Sequence, residues 1–154
     1  MTSLSDRTAI PGAALALGLG GLIPFFVTAL SQWSDIPQLA AEAGFRAGIT
    51  YAAVILSFLG GIRWGAAMQS PSNTHQSAEL AGSVVASLVG WASLWLSPLL
   101  GLCLLVAGFL LQALWDILSV EKNRLPPWFG KLRMVLTVGA VLAQSSMLVK
   151  LTIS

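Results

Sequence analysis

From Leu80 to Trp115 the chain carries no charged residue. Drawn as one α-helix at 1.5 Å per residue, that stretch would be about 54 Å long, nearly twice the roughly 30 Å hydrocarbon core of a bilayer. A water-soluble domain of ordinary composition cannot supply such a run, because about a quarter of its residues are charged. Here only 9% are charged and 56% are hydrophobic, and the mean hydropathy is +0.81. The stretch therefore reads as two membrane spans. Ser97-Pro98 near its middle supplies the break, since proline cannot continue the hydrogen-bond ladder of the preceding turn.

The same reasoning places the other spans. Thr8 to Ser34 is uncharged, Phe45 to Met68 carries no charge apart from Arg46 and Arg63, and Leu132 to Leu151 carries none apart from Arg133 and Lys150. The expectation is an all-α polytopic bundle of five transmembrane helices, about 9–30, 45–68, 79–96, 99–118 and 132–151, forming a single transmembrane domain over 1–154. Val27-Thr28-Ala29 is an acceptable signal-cleavage pattern. The apolar run is longer than a usual signal core, so the first span is expected to stay in place. Asp35 to Gly44 has the capping residues of a short interfacial helix in the first loop.

Basic residues divide unequally between the two sides of such a topology. Arg7, Arg63, Lys122, Arg124, Lys131 and Arg133 fall on one side, with only Arg46 and Lys150 on the other. The positive-inside rule then puts the N-terminus in the cytoplasm and the C-terminus outside. Trp33 and Trp95 at the outer ends, with Trp64, Trp115 and Trp128 near the inner ends, mark the interfaces. Trp91 sits deeper, as a bundle-packing residue. The basic segment from Val120 to Lys131 reads as the inner anchor, with anionic lipid docking as its functional alternative.

Helices in lipid associate through small residues that let backbones approach. Gly12, Ala16 and Gly20, then Gly61 and Gly65, then Gly82, Ala86 and Gly90 form such rows. They are expected to stitch the bundle, with homodimerisation as the alternative. Arg63 and Asp116 are more informative, because a charge at mid-membrane costs about 2.5–3.5 kcal/mol. The second and fourth spans run the same way, so the two residues share a depth. Gln112 lies one turn from Asp116. These three are expected to form a buried polar cluster with Arg133 at its edge; the competing reading has Arg63 snorkelling to the headgroups.

Nothing in this pattern names a reaction or a cofactor. There are no paired carboxylates, no nucleophile with a base and no metal-ligand constellation at membrane depth. Cys103, the only cysteine, reads as a small packing residue. A net charge of +2 is too weak to suggest nucleic acid.

Leu56-Ser57-Phe58-Leu59-Gly60-Gly61-Ile62-Arg63-Trp64-Gly65, Leu110-Leu111-Gln112 ahead of Asp116, and Leu125-Pro126-Pro127-Trp128 ahead of Leu132-Arg133 resemble an uncharacterised membrane family. It is the family of unknown function that includes the mitochondrial transmembrane protein 69. The resemblance implies a small multi-spanning protein of a bacterial inner membrane, its C-terminus then periplasmic, with relatives in mitochondria, and brings no activity or ligand with it. With little chain outside the lipid bilayer, the expectation is a non-enzymatic accessory, assembly or binding component of a larger membrane complex. The alternative is a small-molecule or ion carrier with a polar site around Arg63 and Asp116.

Overall fold

The computed structural model describes residues 9–34, 37–69, 74–121 and 125–153. Among them every regular element is helical: α1 (Gly12–Ser31), α2 (Gln38–Met68), α3 (Thr74–Ser93), α4 (Pro98–Glu121) and α5 (Pro127–Ile153). Proline marks four of the starts. Pro11 and Pro37 immediately precede α1 and α2, and Pro98 and Pro127 are the first residues of α4 and α5. A proline there loses nothing, because the first N–H groups of a helix have no partner within it. The Ser97-Pro98 break is real, and the new helix closes its first turn with Gly101 N–H donating to the Ser97 carbonyl at 2.8 Å.

The boundaries differ from the expectation most at the helix starts: α2 begins at Gln38, α3 at Thr74 and α5 at Pro127, rather than at about 45, 79 and 132. The Asp35–Gly44 segment does not form a separate interfacial helix; Asp35 and Ile36 lie outside the described residues, and from Gln38 onward the chain is already the start of a continuous α2. Gly44 does not end a helix. It lets α2 approach the end of α1, since a Cβ at Gly44 would collide with the Ser31 side chain. α1 runs on through Pro24, and Thr28 Oγ1 donates to the Pro24 carbonyl at 2.7 Å.

The helices form a closed ring in chain order, α5 returning to α1, with α2 also touching α4 across the middle. Close approaches fix their directions. Gly60 lies on Ser83 and Gly90 on Ala53, so α2 and α3 are antiparallel. Gly101 lies on Ser93 and Gly82 on Trp115, so α4 returns alongside α3. Gly18 packs on Leu132 and Leu136 while Leu22 packs on Gly139, so α1 and α5 are parallel. Inside the ring Phe25 meets the rings of Tyr51 and Phe109 edge-on, at centroid distances of 5.1 and 5.7 Å. Ala52, Leu56, Leu102 and Leu105 fill the remaining centre.

The outside is as apolar as the inside. Leu17 is 78% exposed and Trp95 75%, a distribution that only a lipid surround makes favourable. Four helices, α1, α2 from Ala40, α4 and α5, are long and apolar enough to cross a membrane. α3 is the more polar one, carrying Gln76, Glu79, Ser83, Ser87 and Ser93.

The small-residue rows divide. Gly82, Ala86 and Gly90 face the bundle as expected: Gly82 makes room for the Trp115 ring, Ala86 is buried and Gly90 lies on the Ala53 backbone. The other two rows do not stitch the bundle. A Cβ at Gly12, Gly20, Gly61 or Gly65 would meet nothing within 4 Å, and Ala16 is exposed. The close approaches are made instead by Gly18, Gly48, Gly60, Gly101, Gly108 and Gly139. Trp91 is also no packing residue; it is exposed and lies 5.9 Å from the Trp95 ring. Cys103 faces outward. Of the bases behind the orientation argument, Arg7, Lys122 and Arg124 lie outside the described residues, as does that part of the basic segment.

Candidate functional site

Four helices deliver charge to one point. α2 brings Arg63, α3 brings Glu79, α4 brings Gln112 and Asp116 from successive turns, and α5 brings Arg133. Arg63 and Asp116 are each 1% exposed, and Arg133 and Gln112 are each 4% exposed. Arg63 therefore does not snorkel. The reason is directional: Arg63 and Asp116 belong to parallel helices that touch, and the antiparallel turn from α4 to α5 returns Arg133 to the same level.

The carboxylate of Asp116 is the hub. Arg133 Nε donates to its Oδ2 at 2.8 Å. Arg63 Nε lies 3.9 Å from its Oδ1, and Gln112 Nε2 reaches the same oxygen at 3.5 Å. Arg63 is held from two further directions: Glu79 Oε2 lies 3.5 Å from Arg63 Nη2, and the guanidinium carbon lies 4.5 Å from the centroid of the Trp115 ring. Two arginines and two carboxylates sum to zero formal charge. A balanced group of this kind avoids the several kcal/mol per ion that an unpaired charge would cost away from water.

Arg63, Gln112, Asp116 and Arg133 thus come together, but their ranking differs from the sequence expectation. Arg133 is not at the edge; it makes the shortest contact in the cluster. Glu79 and Trp115 were not foreseen as members. The α2–α3 register would have found Glu79, because with Gly60 opposite Ser83 in an antiparallel pair, Arg63 comes opposite the turn containing Glu79.

Three buried atoms near or beyond the cluster have no hydrogen-bond partner among the described residues: Arg133 Nη2, Thr137 Oγ1 and Gln144 Oε1. All three lie on the inner face of α5. No three His, Cys, Asp or Glu side chains among the described residues come close enough to hold a metal ion. Chemically, the arrangement can lock four helices in register and offer one spare guanidinium donor.

Comparison with known proteins adds a lineage. Residues 10–149 match the family described as protein of unknown function (DUF3429). Transmembrane protein 69 of Xenopus tropicalis is 37% identical over 136 residues, which cover 85% of this chain and 51% of that protein. Transmembrane protein 69 of Mus musculus is 34% identical over 139 residues, 86% of this chain and 54% of that protein. The chain therefore spans about half the length of these curated relatives. No solved structure matches it.

Proposed function

Because the chain belongs to the DUF3429 family of membrane proteins of unknown function, and its buried charges are engaged with one another, we propose a non-enzymatic role: an accessory or assembly subunit that docks other transmembrane helices of a larger membrane complex. The observation that carries this reading is the outward face of α1. Gly12, Ala16 and Gly20 form a row one turn apart, and among the described residues nothing covers either glycine. In lipid, such a row lets a second helix approach closely enough for backbone contact. α1 is also the least embedded span, with only Phe25 and Ala29 buried.

The same reading takes all five helices as spans in a bacterial inner membrane, N-terminus cytoplasmic and C-terminus periplasmic. Support for α3 as a fifth crossing comes from its neighbours, since it lies along both α2 and α4 from Gly82 to Ser93. The orientation rests on the positive-inside count. The carrier alternative around Arg63 and Asp116 has less support. Those two charges are occupied by each other, by Arg133 and by Glu79, and they lie toward the ends of α2 and α4.

The test is gentle purification from native membranes through a C-terminal tag, with quantitative mass spectrometry. Wild type should retain a near-stoichiometric set of membrane subunits. An Ala16→Leu/Gly20→Leu variant, whose added side chains point away from the bundle, should fold and lose them. A lone monomer, or a homodimer with no other subunit, overturns the proposal.

A further inference from the structure

Arg133 has a second role in the geometry, separate from its bond to Asp116. It lines two adjoining clefts among α1, α2 and α5, of about 340 Å³ and about 130 Å³. Leu17, Gly18, Phe58, Leu59 and Leu136 line both alongside it. Trp128 and Phe129 border the larger cleft, and the smaller one reaches Phe25 and Phe109 in the core. The larger falls at the lower end of the roughly 300–1,000 Å³ typical of small-molecule sites, with the expected mostly apolar wall and few polar groups.

We propose that this groove binds an apolar membrane molecule bearing a neutral carbonyl oxygen, which accepts a hydrogen bond from Arg133. Two observations select that chemistry. Arg133 is 4% exposed and its Nη2 has no hydrogen-bond partner among the described residues; a buried donor on a charged group left in that state is strongly unfavourable. The charges of Arg63, Arg133, Glu79 and Asp116 already cancel. An anionic ligand would leave the site with a net negative charge in a low-dielectric setting, whereas a carbonyl completes the donor without adding charge. The rest of the wall is hydrocarbon and aromatic, matching an acyl chain or an isoprenoid-like body.

Two membrane components carry that chemistry: the ester carbonyl of a phospholipid chain and the ring carbonyl of a quinone. The inference goes beyond helix docking and survives its failure, because the groove and the docking row use different residues of α1.

The experiment uses the full chain in nanodiscs of ester-linked phosphatidylcholine, with two exchanges: replacement by the ether-linked analogue, and addition of decylubiquinone. The readout is the thermal midpoint. Binding to the native state should move it by about 5 °C. A fall in ether lipid identifies a lipid ester as the occupant, and a saturable rise with decylubiquinone identifies a quinone. Leu17→Trp, which fills the groove from an exposed rim position, should abolish whichever shift is seen. Arg133→Lys, which keeps a positive charge opposite Asp116 but lacks Nη2, should also lose it. No shift in wild type, or a shift that persists in either variant, overturns the proposal.

Discussion

Arg133 Nε and Asp116 Oδ2 stand 2.8 Å apart, joining α4 to α5 as a buried pair, while the other oxygen of the same carboxylate faces Arg63 from α2. One acidic side chain therefore sits between two arginines, each on a different helix. The geometry makes Asp116 the member whose loss exposes the most uncompensated charge.

Asp116→Asn should destabilise the protein by about 3–5 kcal/mol, the range for breaking a buried ion pair from one side. Denaturant unfolding in mixed micelles would measure it. Glu79→Gln should cost distinctly less, because Glu79 is 14% exposed and Arg63 keeps Asp116 and the Trp115 face. Equal costs for the two variants would contradict the hub arrangement.

Coupling should follow distance. In double-mutant cycles with Asp116→Asn, Arg133→Met should show an interaction energy at least about 1 kcal/mol larger than Arg63→Met does. The Asp116–Arg133 contact is hydrogen-bonded at 2.8 Å, whereas Arg63 stands off at 3.9 Å. The reverse order would mean that Arg63 is the true partner.

The shared depth of Arg63 and Asp116 was legible because charges are rare here and span direction follows from counting. The position of Arg133 was harder to read. Hydropathy starts the fifth span at Leu132, but the helix begins at Pro127, so Arg133 lies well inside it. Pro127, Gly130 and Lys131 lower the hydropathy of the first turns, yet a proline at a helix start gives up no hydrogen bond. The glycine rows illustrate a different limit. Spacing by four residues identifies one face of a helix, but when lipid and protein are equally apolar it does not say which medium that face meets. Gly61 and Gly65 face outward while Gly60 packs on α3, a distinction decided by helix rotation alone.

That rotation makes two adjacent glycines behave oppositely. A Cβ at Gly60 would overlap the Ser83 carbonyl oxygen, a backbone atom that cannot swing aside, whereas one at Gly61 meets nothing. Gly60→Ala should cost roughly 2 kcal/mol or more by forcing α2 and α3 apart. Gly61→Ala should stay within about 1 kcal/mol of wild type, with helix propensity favouring the alanine. Similar stabilities for the two variants would place the α2–α3 contact elsewhere.

Whether α3 crosses the bilayer is the sharpest question of topology. Its polar side chains argue against a crossing by hydropathy, but four of them find partners within the bundle. Ser83 Oγ donates to the Leu80 carbonyl at 2.7 Å, Ser93 Oγ to the Gly90 carbonyl at 2.6 Å and Gln76 Nε2 to the Ala67 carbonyl at 3.1 Å. Glu79 faces Arg63. Polar groups satisfied in this way are tolerated at membrane depth. In a Cys103→Ser background, cysteines at Gln69 and Ser97, both exposed and bracketing α3, should therefore label from opposite sides. An impermeant maleimide added to intact spheroplasts should reach Ser97→Cys and spare Gln69→Cys. The reverse pattern would keep five spans and invert them. Labelling of both, or of neither until the membrane is opened, would show that α3 does not cross and that the protein spans with four helices, its polar face held against α2 and α4 from one side.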